Sequence, residues 1–197
     1  MPIIYLIFAH LAADFILQPD ELVKWKHRNW RGGVFHAGVH FLFYLVVFFA
    51  YLADYRVVPA LAAVAIAHFF IDSHKIWKDS KKKNYVADFF IDQIQHFIVI
   101  AAAGILILDA RPLLYWSGAL DWFYHDFYIV LGLSLLIIVS YTVEVVKFQF
   151  ARKKTADARF KPDYRAMFRR ILIFSLVYAL LMVLCVYRTA ALGYFFK

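Results

Sequence analysis

Four pairs of ionisable residues stand four positions apart in apolar surroundings: His10 with Asp14, His36 with His40, His68 with Asp72, and Asp92 with His96. On a helix this spacing puts both side chains of a pair on one face, about 6 Å apart along the axis. It is also the spacing at which two helical side chains grip one zinc ion. Imidazole and carboxylate together, without thiolate, suit Zn, Fe or Mn and argue against Cu(I). Cys185 is the only cysteine and lies in an apolar run, so neither an intrachain disulfide nor a thiolate cluster is available. Asp88 stands one turn before Asp92 as a ninth ligand, an outer partner or a general base. Gln18, Gln93, Gln95 and Lys75 flank the pairs as outer contacts or substrate contacts.

The elements that must carry these residues are membrane helices. Of 197 residues, 64% are hydrophobic and 18% charged, and the mean hydropathy is +0.65. A soluble fold of this length could not hide so much apolar surface. Six apolar segments are legible: 3–17, 34–53, 57–77, 86–108, 127–146 and 171–192. All but the first have about the 20 residues that cross a bilayer. The first, about 15 residues or 22 Å long, is either a short packed helix or an incomplete crossing. The N-terminus has no basic stretch before its apolar run, so a removed signal peptide is not expected.

Charge sets the expected orientation. The segment 18–33, the loop after the third span and the loop after the fifth hold 18 of the 22 lysines and arginines. By the positive-inside rule these three loops are cytoplasmic and both termini lie outside. The net charge of +8 then serves anionic lipid, not nucleic acid. The segment 19–31, with Trp25, His27 and Trp30 among its cations, reads as an interfacial amphipathic stretch. The segment 112–128, with Tyr115, Trp116, Trp122, Tyr124 and Tyr128, reads as an outer aromatic belt.

Orientation and pairing agree. Spans 1 and 3 run inward with their pairs near their ends, and spans 2 and 4 run outward with theirs near their starts. All four pairs then fall in one layer, a turn or two below the cytoplasmic surface. An Asp at the bilayer centre costs about 2.5–3.5 kcal/mol on insertion scales, so the cluster needs pairing or a cation to offset it. A single such pair is as readily a structural ion pair or a proton relay. Four aligned pairs point to metal.

An internal repeat supports this. Ala9-His10 and Asp14 match Ala67-His68 and Asp72 at an offset of 58, and His40-Phe41 matches His96-Phe97 at 56, with His36 against Asp92. Two repeated hairpins would form a four-helix core with two sets of four ligands, hence two ions. The expected fold is an all-α polytopic bundle. Residues 1–109 form the metal-site core, and 110–197 form an outer loop, a basic linker over 152–170 and a companion hairpin with Glu144 and Lys147 paired near its inner end.

The motifs His10-Leu-Ala-Ala-Asp14-Phe-Ile-Leu-Gln18, Phe35-His36-Ala-Gly-Val-His40, His68-Phe-Phe-Ile-Asp72 and Asp92-Gln93-Ile-Gln-His96 resemble those of a family of small bacterial inner-membrane proteins built on a domain of unknown function. The resemblance covers about residues 5–100, implies a bacterial inner-membrane location and implies no activity. A looser similarity is to inner-membrane metal-dependent hydrolases, which also place His and Asp at helix ends.

The expected function is therefore a metal-dependent hydrolase acting on a phosphoester or lipid headgroup at the cytoplasmic leaflet, with two ions of Zn, Fe or Mn. A metal centre polarises a phosphoryl or acyl oxygen and activates water at neutral pH. Membrane lipids, anionic ones above all, are the expected partners, and a homo-oligomer is compatible with the sequence. A di-iron oxidase or hydroxylase is an alternative, although such sites usually carry more His and fewer Asp. A metal or proton transporter would need polar residues in the outer halves of the spans, which are almost wholly apolar. A cluster that only holds the bundle together is a further alternative.

Overall fold

Helix α1 (Pro2–Phe15) begins on a proline, which suits a first turn because its missing N–H has no partner there. Its apolar run stops short of Pro19, and the chain turns by 86° into α2 (Asp20–Arg28). Asp20 and Glu21 in the first turn of α2, and Lys26, His27 and Arg28 in its last, oppose the helix dipole favourably. Asn29 then caps α3 (Trp30–Val47) by accepting the Arg31 backbone N–H. A 3-10 turn, Phe49–Tyr51, follows. Next come α4 (Val57–Asp79), α5 (Tyr85–Leu106), α6 (Phe127–Lys154) and α7 (Tyr164–Phe195). The computed structural model describes residues 2–79, 85–112, 123–124, 126–154 and 159–195, with 186–195 as backbone. All regular structure among them is helical.

Four helices, Val57–Asp79, Tyr85–Leu106, Phe127–Lys154 and Tyr164–Cys185, are long and apolar enough to cross a membrane. The chain is an integral membrane protein. Six apolar segments were expected, the first of them short, and α1 and α3 fall outside the four for identifiable reasons. Helix α1 has 14 residues, about 21 Å, and becomes a fifth candidate only if counted with α2. Helix α3 starts at Trp30, earlier than position 34, and ends at Val47, because Asn29 caps it and the chain tightens at Phe49. Its 18 residues thus include Arg31, His36 and His40, which lower its hydropathy.

The core is a ring of four helices. Helix α1 packs on α3 and α5, and α4 packs on the same two. The buried stripe of each changes character at one level: Tyr5, Leu6 and Ala9 lead to His10 on α1, and Leu61 and Val64 lead to His68 on α4. On α3 His40 gives way to Tyr44 and Val47, and on α5 His96 gives way to Ile100 and Ala103. One end of the bundle is thus closed by apolar packing, and the other is lined with His and Asp. At the closed end Tyr5 meets Phe48, Tyr51 and Tyr124 with ring centroids 5.9–6.1 Å apart. Tyr124, partly buried, packs against this cluster; Tyr115, Trp116 and Trp122 lie outside the described residues. Arg56 ties the same end together, reaching Asp54 at 2.7 Å and Asp109 at 2.9 Å. Its hydrogen bonds hold the Asp54 carboxyl below the ordinary carboxylate range.

Helix α6 packs on α1 and α5, and α7 packs on α6. A π-helical turn, Ile138–Thr142, interrupts α6 and frees backbone carbonyls. Arg170 of α7 answers them, donating to Val139 O at 2.7 Å and Ser140 O at 3.2 Å. The expected Glu144–Lys147 pair forms at 2.8 Å, and Glu144 also accepts from Arg170 at 2.6 Å and from the Asp163 backbone N–H at 3.1 Å. Of the basic linker, 155–158 lie outside the described residues; α7 begins at Tyr164, where Asp163 caps the Ala166 N–H.

Candidate metal centre

The four inward stripes bring His10, Asp14, His36, His40, His68, Asp72, Asp92 and His96 into one cluster. All five histidines are at most 3% exposed, and Asp72 and Asp92 are buried too. His68 is central: its ring lies 3.8 Å from that of His40, 4.3 Å from His96 and 5.0 Å from His36. Asp14 faces four imidazoles. Its Oδ1 lies 3.0 Å from His40 Nε2, 3.2 Å from His36 Nε2 and 3.6 Å from His68 Nε2, and its Oδ2 lies 3.5 Å from His10 Nε2. The repeat-related pair His68–Asp72 has nearly the same separation, 3.6 Å.

Three sets of ligand atoms lie within 4.8 Å of one another: His10, Asp14, His40 and His68; His36, His68 and Asp72; and Asp72, Asp92 and His96. Around a tetrahedral ion with bonds of 2.0–2.1 Å, neighbouring ligand atoms stand about 3.4 Å apart. The Asp14 distances bracket that value. Both ring nitrogens of His10 and His68, His96 Nε2 and Asp92 Oδ1 are buried without a hydrogen-bond partner among the described residues. Buried polar atoms are nearly always satisfied, so this many unpaired lone pairs facing one another fits a cation between them. His96 Nδ1 lies 2.9 Å from the Asp92 backbone carbonyl. A carbonyl can only accept, so Nδ1 carries the proton and Nε2 offers its lone pair to the cluster.

The cluster's three carboxylates, Asp14, Asp72 and Asp92, line a cavity of about 460 Å³, and its five histidines lie behind them. Gln18, Lys26, Lys75 and Gln93 join Asp14, Asp72 and Asp92 in its wall, and α6 contributes Tyr141, Gln149 and Arg152. Gln18 Nε2 lies 2.9 Å from His36 Nε2, Gln93 donates to Asp92 at 3.2 Å, and Lys75 donates to Asp92 Oδ2 at 2.8 Å. Gln95 and Asp88 are not among the described lining residues. Asp88 is half-buried one turn nearer the start of α5, close enough to Asp79 for their charges to interact. Its Oδ2 is buried without a hydrogen-bond partner among the described residues.

Sequence reasoning assigns Lys26 to the lipid surface and so misses its part in the site. It donates to Asp72 Oδ2 at 2.7 Å, with a side chain only 11% exposed. The available signal is Gly32. A Cβ there would stand 2.5 Å from the Lys26 nitrogen and 2.6 Å from the Trp25 carbonyl carbon. Only glycine allows α2 to fold back this tightly on α3 and carry Lys26 to the cluster. Tyr141 and Arg152 are also missed, because a π-turn and a helix extended to Lys154 bring them to the cavity.

Fold and site together define an integral membrane helical bundle with a buried His/Asp cluster able to hold metal, open at one end. A family model described as "Protein of unknown function (DUF3307)" matches residues 3–124, more than half of the chain. The protein belongs to that family, in keeping with the motifs read in the sequence. No curated protein and no solved structure matches it.

Proposed function

We propose that this protein is a membrane metalloenzyme that hydrolyses a phosphoester or related headgroup bond at the cytoplasmic leaflet. The observation that carries the reading is the set of buried, unpaired imidazole nitrogens packed behind three carboxylates, Asp14, Asp72 and Asp92, that line an open cavity. The eight cluster residues hold one or two ions of Zn, Fe or Mn. An ion there would polarise a phosphoryl oxygen and activate water. Asp92 offers its unpaired oxygen as a ligand, and Asp88, whose Oδ2 is also buried without a hydrogen-bond partner, is kept as the candidate general base. In this reading α1 and α3 cross beside the four longer helices, with both termini outside and the cavity at the basic, cytoplasmic end.

The closed end of the bundle favours a one-sided site over a conduit. Beyond His40 and His96 the core is filled by Tyr44, Phe48, Leu61 and Ile100, each at most 1% exposed. The test is elemental analysis of protein purified in mild detergent, followed by reconstitution with headgroup-labelled inner-membrane lipids. Bound metal and chelator-sensitive release of a water-soluble headgroup are expected. Metal uptake without lipid turnover would make the protein a transporter, and oxygen consumption with an iron signal an oxidase. Metal-free protein whose stability ignores chelation would leave a purely hydrogen-bonded cluster.

A further inference from the structure

Two lysines reach the cluster from different helices. Lys26 of α2 places Nζ 2.7 Å from Asp72 Oδ2, and Lys75 of α4 places Nζ 2.8 Å from Asp92 Oδ2. Both meet the half of the cluster that has two carboxylates. Asp14, in the other half, is faced by imidazoles. Each lysine thus stands where a buried carboxylate requires a cation.

The charge balance of the cluster calls for an anion once metal is bound. With the imidazoles neutral, as metal binding requires, three carboxylates and two ammonium groups leave one negative charge. One divalent ion turns this into one positive charge, and two ions into three. A buried site at membrane depth holds such an excess only with an anion beside it. The cavity of about 460 Å³ offers the room, with Lys26, Lys75 and Arg152 in its wall; of the acidic residues beyond the cluster that share this wall, Asp79 pairs with Arg152, and Asp20 and Glu21 are exposed to solvent. Its size falls within the usual range for small-ligand sites. Arg152 is steered there by the Tyr85 ring, 3.9 Å from its guanidinium carbon, and by Asp79, 3.5 Å away.

We infer that this cavity is a phosphate-binding site, in which Lys26 and Lys75 turn from Asp72 and Asp92 to phosphoryl oxygens once metal neutralises those carboxylates. The inference rests on the metal reading and narrows its substrate to a phosphorylated one. A lipid phosphate headgroup and free phosphate share this chemistry. Lysine suits the exchange, because its ammonium is a point charge on a flexible stem that can change partners.

The test uses the full chain in phosphatidylcholine nanodiscs, metal-loaded or chelated, with labelled inorganic phosphate and with phosphatidate added to the bilayer. Metal-loaded protein should bind phosphate, phosphatidate or both. Lys26→Met and Lys75→Met should each weaken binding by about ten-fold or more while keeping or raising the metal content, since a competitor for the carboxylates is gone. Lys26→Arg, which keeps the charge, should retain most of the binding and guards against a folding defect. Phosphatidate bound without free phosphate identifies a lipid headgroup, and free phosphate bound alone identifies a soluble source. Metal-loaded protein that binds neither probe, or methionine variants that bind like the parent, would overturn the inference and leave the metal reading intact. Protein that takes up no metal would end the metal reading. Lysine-dependent phosphate binding in that state would keep the subsite, and its absence would end that too.

Discussion

Asp14 is the carboxylate on which the cluster turns. It faces His10, His36, His40 and His68 within 3.6 Å, more imidazoles than a neutral hydrogen-bond network needs. Asp14→Asn keeps the shape and removes the charge, so metal content should fall to background on elemental analysis. Asp92→Asn should leave the protein folded in the membrane with both metal occupancy and turnover lowered. The two outcomes separate a shared ligand from one already matched by a lysine. A bound ion also stabilises the fold by linkage, about 2.7 kcal/mol when free metal is 100 times its Kd. Chelation should therefore lower the unfolding temperature, and readdition of metal should restore it.

At the scale of elements, two contacts position the site without touching it. Gly32→Ala would drive a methyl into the α2 backbone at Trp25 and Lys26, and backbone cannot give way as a flexible side chain can. A cost of about 1–3 kcal/mol is expected, and cysteine cross-linking between α2 and α4 should show Lys26 displaced from Asp72. The second contact is Arg170, which answers the carbonyls freed by the π-turn and pairs with Glu144, a side chain only 5% exposed. Arg170→Met should cost about 1–3 kcal/mol, since it leaves the π-turn carbonyls unanswered and Glu144 with only Lys147 and the Asp163 N–H as partners. Adding Glu144→Gln should recover part of that loss in thermal unfolding. A purely local role for the Glu144–Lys147 pair would make Arg170→Met nearly silent.

For the whole molecule, the issue is which end of the bundle meets which side of the membrane. The cavity lies at the end of the bundle that carries Lys26, Lys75 and Arg152, and 18 of the 22 lysines and arginines belong to the three loops assigned to that side. Reporter fusions after Ser80 and after Thr155 should both report cytoplasm. A periplasmic signal at either would invert the site and remove its supply of inner-leaflet headgroups. Large apolar residues exposed around the bundle, such as Ile66, Phe70, Ile98 and Leu176, are lipid contacts in this frame. Lipid provides no hydrophobic drive between helices, so the close glycine contacts and polar ties carry much of the assembly. At Gly132, a Cβ would meet the Tyr178 ring at 2.7 Å, and the Tyr178 hydroxyl donates to Tyr128 O.

The sequence alone determined the helical class, the membrane environment and the identity of the clustered residues. These rest on local quantities: apolar run length, and a four-residue spacing that puts two side chains on one helix face whatever the neighbours are. It also placed the four pairs at a common depth, because depth is set by distance along a helix axis. Tertiary structure decided what the pairs meet. No spacing in the sequence could say that Asp14 would face imidazoles from three other positions and that Asp72 and Asp92 would each find a lysine. Nor could local pattern say that a 14-residue helix would end in an 86° bend, or that α6 would run on to Lys154 through a π-turn. Those outcomes depend on close approach between distant segments, at Gly32 and Gly132 above all, and on where Arg170 finds carbonyls to bond. Contacts of that kind are properties of the packed bundle, since each exists only when two helices far apart in the chain have already met.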